Sequence, residues 1–314
     1  MIYSSFIEFI ALLRRSLHKD SKERRQAWIE EEAIVLNGSA TAVIFLHIPK
    51  AAGTTFANII LRQFPSDAVC RISPYAPEKF ISSAEDERRS IKLLLGHMEF
   101  GLHQFLPQPS TYITMLRDPV ERVRSTYNFI LRKPEHPYHQ ALREGKVGLM
   151  EFVERGISRI DTDNGQVRLL SGVQNHSVPL GKCTREMLEK ADENLKAYFS
   201  VVGLVERFDE SLTLMRRQFG WRPPFYRKMN VSKRLIGAER LDEDTKELIR
   251  ERNVLDLELY DRAARRLEDR LKEQPESFWR ELRVFQTINR IVGRTGRRSL
   301  LGKLLSELWK RSFS

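Results

Sequence analysis

The sequence predicts an α/β fold with a central, mainly parallel sheet flanked by helices. Short apolar runs of strand length alternate with helical segments that carry one apolar face. Three of the four runs also end in Lys, His, Arg, Gly or Thr clusters, and the carboxyl ends of parallel strands are where α/β proteins bind ligands. The 314 residues suffice for one large domain with extensions. A hydrophobic content of 41% with 30% charged residues excludes global disorder.

Taken in order, residues 1–35 read as an amphipathic helical extension, with Phe6, Ile7, Ile10 and Leu13 at helical spacing and Asn37-Gly38-Ser39 ending it. Thr41–His47 is a β-branched, bounded strand. "GTTFANIILRQF" then starts a helix at Gly53, with Phe56, Ile59 and Ile60 on one face. "SIKLLLGH" and "STYITMLRDP" are two further strand-length runs. Asp118 followed by Pro119 gives an N-cap and a first-turn proline, and the helix over about Val120–Arg132 sets Val120, Val123, Tyr127 and Ile130 together. Residues 134–198 read as a mostly helical insertion. "YFSVVGLVERF" is the fourth strand, followed by a helix from about Asp209 to Gln218, and 241–272 reads as one long charged helix. The domain reading is an extension over 1–40, a body over 41–272 and a basic helical tail over 273–314.

Net charge is +11, but the tail from Glu276 holds nine Lys/Arg against three Asp/Glu, a net of +6. The body is only mildly basic, so no nucleic-acid partner is expected. Two tail stripes, Phe278-Leu282-Phe285-Ile288-Val292 and Leu300-Leu301-Leu304-Leu305-Leu308-Trp309, suit either packing on the body or peripheral contact with anionic lipid. Cys70 and Cys183 form no ligand pattern and read as reduced thiols. No stretch approaches the ~18–20 apolar residues of a membrane span. The N-terminal run contains Glu8 and precedes Arg14-Arg15, the wrong order for an export signal. The expectation is a cytoplasmic protein, peripheral to the inner membrane face if its tail meets lipid.

The chemistry lies at the strand ends. In His47-Ile-Pro-Lys50-Ala51-Ala52-Gly53-Thr54-Thr55, a glycine, two hydroxyls and a helix start form an anion cradle, with Lys50 leaning over it. The lysine precedes the glycine, whereas an ATP-type loop places it after. The second end is Gly96-His97-Met98-Glu99. At the third, Arg117 leaves the strand as a fixed cation, and Ser125 shares a helix face with the Asp118 cap, a pair suited to a second phosphate. Two cradles on one sheet edge fit a nucleoside carrying phosphates at both ends. His47 reads as packed at the loop entrance, and the EF-hand flavour of "DTDNG" fails because position twelve is Gly172.

"FLHIPKAAGTTF", "TMLRDPVERVRSTYNF" and "VVGLVERFDESL", in that order over about residues 41–260, resemble the heparan-sulfate 2-O-sulfotransferase-like superfamily. That resemblance implies a P-loop-type three-layer fold and sulfuryl transfer from 3′-phosphoadenosine-5′-phosphosulfate (PAPS), without a metal, to a hydroxyl of a glycan or glycolipid. Lys50, Ala51, Ala52, Gly53, Thr54 and Thr55 resemble the family's 5′-phosphosulfate loop, Arg117 and Ser125 its 3′-phosphate pair, and Ser232 in Asn230-Val-Ser232-Lys233 a later loop over the donor. His97 matches the base position, with Glu99 as its orienter or substitute, and Arg168 lies where relatives reach substrate. Residue 95, a second His in heparan-type members, is Leu here. The chemistry suits these residue types, because a cation must face the leaving oxygen and a base must take the acceptor's proton. An ATP-dependent small-molecule kinase and a non-enzymatic membrane- or polyanion-binding protein on the same scaffold stand as alternatives.

Overall fold

The computed structural model describes residues 41–73, 76–173, 177–226 and 241–295. The expected helix over 1–35, the stripe beginning at Leu300 and the Asn230–Lys233 segment with Ser232 lie outside the described residues, as does the Val292 side chain.

Five strands make one parallel sheet: β1 (Ala42–Leu46), β2 (Val69–Ile72), β3 (Leu93–Gly96), β4 (Ser110–Leu116) and β5 (Phe199–Leu204), in the order β2-β3-β1-β4-β5. The central strand β1 pairs with β3 on one side (Leu46 opposite Gly96) and with β4 on the other (Phe45 opposite Ile113). All five of its residues are buried, so it reads as an unbroken apolar run rather than an alternating one. Strand β2 escapes the sequence reading. It is a four-residue edge strand whose single buried residue is Ile72, too little to make an apolar run.

Packed on the sheet and on one another are helices α1 (Gly53–Ile60), α2 (Pro119–Arg132), α3 (Gly165–Leu170), α4 (Arg185–Tyr198), α5 (Phe208–Phe219), α6 (Glu243–Arg252), α7 (Val254–Lys272) and α8 (Glu276–Thr295), with shorter helical segments in the connections. Helix α1 buries Phe56, Ile59 and Ile60 as the spacing requires. Helix α2 opens as read, with Pro119 at its first position and an Asp118 carboxylate oxygen accepting from the Glu121 N–H at 2.9 Å.

The single helix expected over 241–272 is two. At Asn253 the backbone leaves helical geometry (φ −125°, ψ 29°), and its amide donates to the Thr162 and Ile249 carbonyls at 3.0 and 2.9 Å. A short amide side chain that bonds to backbone competes with helix continuation. The first tail stripe is a core element. Phe278, Leu282, Phe285 and Ile288 on α8 lie in the same buried cluster as the sheet, so the helix packs on the body and that stripe is not open to lipid. Buried Glu281 joins it to α5 through Arg216 and Arg217, at 2.8 and 2.9 Å. The tail expected from 273 thus begins with a helix that packs on the body. Among the described residues no helix is long and apolar enough to cross a membrane.

Candidate active site

The three central strands β3, β1 and β4 end side by side. Their carboxyl ends deliver His97, the Lys50–Thr55 loop and Arg117 to one edge, the place the parallel topology assigns to ligands. Within the loop, Lys50 and Ala52 both take left-handed backbone (φ 62° and 56°). Such conformations cost a residue with a Cβ roughly 1–2 kcal/mol each, and they persist where the surrounding fold imposes them. Ala52 is the N-cap of α1 and brings no side-chain cap, so this helix start presents its first-turn N–H groups as an anion seat. Ala51 and Gly53 are buried, Thr55 is buried, and Thr54 is exposed at the helix start.

The Lys50 ammonium sits 3.7 Å from the centroid of the Phe129 ring on α2. Burial, then repulsion from Arg132, lowers its pKa to about 8, with Asp161 pulling the other way and Arg117 adding to the fall. The cation is therefore only marginally held by its surroundings, and an incoming anion strengthens it.

Arg117 is seated by Gln166 on α3. The Gln166 amide accepts from the Arg117 N–H at 3.0 Å and donates to the Arg117 carbonyl at 2.9 Å, extending the end of β4 with a side chain. The guanidinium donates to the Lys50 carbonyl at 3.0 Å and lies 3.7 Å from Glu121, tying the two cradles together. Its Nε is buried and has no hydrogen-bond partner among the described residues. Ser125 lies half-buried on α2, two turns into the helix that Arg117 precedes.

His97 is half-buried and bonds through Nδ1 to the His47 carbonyl at 2.7 Å. A carbonyl only accepts, so Nδ1 carries the hydrogen and the neutral ring's lone pair is on Nε2, the form a base needs. Burial lowers its pKa below 6.5; the His47 bond and Asp161 oppose the shift, and Lys50 adds to it. The His47 carbonyl thus orients the ring from one side; the sequence reading offers Glu99 as orienter or substitute base. Glu99 stands half-buried two residues further on.

Arg168 does not face a substrate. Its side chain is 0% exposed, ion-paired with Asp163 at 2.5 Å, and it donates to the Val178 and Pro179 carbonyls at 2.8 and 2.9 Å. Its position in the chain suggested the edge of the site, but the helix turn directs the guanidinium inward. Nearby, "DTDNG" is a buried polar hub. Asp161 accepts from Ser158 at 2.6 Å and Thr126 at 3.2 Å. The Asn164 side-chain oxygen caps the start of α7 by accepting from Leu255 and Asp256 N–H groups, while Asp256 caps α3 by accepting from Gln166 and Val167.

Arg122, 0% exposed, lies 3.7 Å from both Asp161 and Asp256. Burial pushes the Asp256 carboxyl up, against the pull of Arg122 and the two N–H donors. Removing one partner of a buried pair strands the other, so Arg122→Met is expected to lower the unfolding free energy by about 3–5 kcal/mol, read from urea melts.

Sequence reading missed Phe129, Gln166 and Asp161 as parts of the site. The first had a signal, since it lies four residues after Ser125 on the same helix face. The others act from a segment whose approach to β4 is set by long-range packing.

A family model described as galactose-3-O-sulfotransferase matches residues 31–295. Human heparan-sulfate 6-O-sulfotransferase 1 is 28% identical over 271 residues, covering 70% of this chain and 64% of the relative. Mouse galactose-3-O-sulfotransferase 3 is 25% identical over 242 residues (70% and 54%), and an Arabidopsis protein-tyrosine sulfotransferase is 31% identical over 112 residues (35% and 21%). The chain thus spans less than two thirds of the length of these relatives, and the two carbohydrate-directed names are of 6-O and 3-O types rather than the 2-O type its motifs resemble. The matched stretch contains the whole strand-end cluster, from His47 through Arg117 to Gln166, and the chain belongs to the galactose-3-O-sulfotransferase family.

Proposed function

We propose that this protein transfers a sulfuryl group from PAPS to a hydroxyl of a carbohydrate acceptor. One observation carries the reading: Lys50, His97 and Arg117 leave three adjacent strands at a single edge. They supply an electrophilic cation, a neutral base and a phosphate-binding fork. PAPS when bound supplies an activated sulfuryl group on a phosphate leaving group.

The residues present fit such a donor. The donor-rich start of α1 suits its 5′ end, and the buried, unpartnered Arg117 Nε suits an anion at its 3′ end together with Ser125. Lys50, on the loop of the first cradle with its ammonium on the Phe129 face, is the cation this reading assigns to the charge that develops there. His97, held with its lone pair on Nε2, takes the acceptor's proton. Ser232 joins the donor site in this reading on resemblance alone. A carbohydrate acceptor is supported by relatives such as the heparan-sulfate 6-O- and galactose-3-O-sulfotransferases, which align over 70% of this chain; the tyrosine-directed relative aligns over 35%.

Radiolabelled sulfate from PAPS is expected to appear in the glycan fraction of a cell extract treated with the protein. Label confined to unreacted donor sinks the proposal. Donor recognition is separately testable. A charge-assisted contact is worth about 1.5–3 kcal/mol, so adenosine 3′,5′-bisphosphate is expected to bind roughly 10- to 150-fold tighter than adenosine 5′-monophosphate. Arg117→Ala removes that preference. Equal affinity of the unaltered protein for the two nucleotides overturns the Arg117/Ser125 assignment.

A further inference from the structure

We infer that His47 is a positioning residue for His97, and that residue 53 is glycine because the His47 ring occupies the place a side chain would take. The inference rests on His97 acting as the base.

The His47 N–H donates to the Gly96 carbonyl at 2.9 Å, carrying the β1–β3 ladder one residue beyond the strands. The next acceptor in that ladder, the His47 carbonyl, takes the His97 Nδ1 hydrogen at 2.7 Å instead of a backbone N–H. The two rings stack with centroids 4.1 Å apart at 28°, and Phe45 stacks on His47 at 5.3 Å and 15°. His97 is thus fixed at two points: one hydrogen bond sets its tautomer, and one face-to-face contact sets its plane.

Gly53 completes the arrangement. A Cβ built on it would lie 1.4 Å from His47 Nε2 and 2.0 Å from Cδ2. No rotation of a methyl relieves that overlap, so a side chain at position 53 and the observed His47 ring exclude each other. The glycine has negative φ in the first turn of α1, so a left-handed backbone does not explain it. The loop that cradles the donor and the residue that takes the proton therefore meet through one imidazole.

Among the described residues Lys50 acts on both rings, Asp161 and the His47 carbonyl act on His97, and the His97 ring acts on His47. Burial takes the His47 pKa down to about 3, so its ring stacks as a neutral group at working pH and shields His97 from water.

The experiment compares His47→Ala, His47→Phe, Gly53→Ala and the double variant Gly53→Ala/His47→Ala in PAPS turnover across pH, with His97→Ala alongside. Affinity for adenosine 3′,5′-bisphosphate reports an intact donor site in each. His47→Ala is expected to lose roughly tenfold in kcat, a typical effect of a misplaced catalytic group, while the bisphosphate affinity holds. The acid limb of its kcat/KM profile moves to higher pH, because water reaching His97 stabilises the imidazolium. His47→Phe keeps the carbonyl and a stacking ring and restores most of the loss. Gly53→Ala falls at least as far as His47→Ala, and the double variant returns to the His47→Ala level because the clash is gone.

Independent, additive losses from the two substitutions overturn the inference, as does a His47→Ala enzyme with unaltered kcat and acid limb. If His97→Ala itself retains full turnover, the base assignment is what fails; if it is inactive while the other variants behave additively, only the positioning role fails.

Discussion

Lys50→Ala is expected to lower turnover by about 10²–10³-fold, the range seen when a preorganised donor to developing charge is removed. Affinity for adenosine 3′,5′-bisphosphate should change little by comparison, because Arg117 keeps its seat through Gln166 whatever side chain occupies position 50. The Lys50 group that binds Arg117 is its backbone carbonyl, which alanine retains. Arginine is not expected to rescue. The Lys50 backbone is left-handed and its ammonium sits on the Phe129 face beside Arg132 and Arg117, so a wider, permanently charged guanidinium meets both crowding and repulsion.

The same lysine should be visible in the pH dependence. Its pKa is lowered to about 8, and in the proposed role it acts only when protonated, so kcat/KM for PAPS is expected to fall as pH rises through about 8. In kcat the alkaline limb lies higher, because a bound anion stabilises the ammonium. A Lys50→Ala enzyme with ordinary turnover and an unchanged alkaline limb removes Lys50 from the chemistry.

Much of this arrangement was legible in the residues. Four of the five strands declare themselves: β1 and β3 as apolar runs buried on both faces, β4 and β5 as shorter apolar stretches with partly exposed positions at Ser110, Thr111, Ser200 and Val202. Strand β2 was silent since an edge strand with one buried residue makes no such stretch. Lys50, His97 and Arg117 could be placed together because a parallel sheet sends all strand ends to one side. What could not be read was which long-range partner holds each of them. Gln166 lies 49 residues from Arg117 and the His47 carbonyl 50 from His97. Arg168 shows the converse: a cation in a promising stretch turns out to neutralise Asp163 in the interior. Sequence periodicity reports which face of a segment is apolar, and it is mute on whether a charged residue finds a buried counter-charge. The glycine of the first loop reads as close backbone approach for an anion, and nothing in the sequence signals that a Cβ there would also meet the His47 ring.

His97→Asn is the substitution expected to abolish most turnover while leaving the fold and the donor site intact. An asparagine amide can still donate to the His47 carbonyl, which the ring does through Nδ1 at 2.7 Å, but it cannot accept the acceptor's proton. A general base contributes about 10²–10⁴-fold, so kcat should fall by that factor with adenosine 3′,5′-bisphosphate affinity preserved. The pH profile supplies the sign. As the proposed base His97 acts only when neutral, so activity is expected to rise with pH through its pKa and to be complete above it. Burial, the largest influence, sets that pKa below 6.5, so the unaltered protein should keep full activity to more acidic pH than a free imidazole would allow. In His97→Asn the residual rate should lose this acid limb and retain the alkaline limb that belongs to Lys50. Loss of the alkaline limb instead, or survival of the acid limb, would assign the proton transfer to another group, of which Glu99, two residues along the same loop, is the first to test.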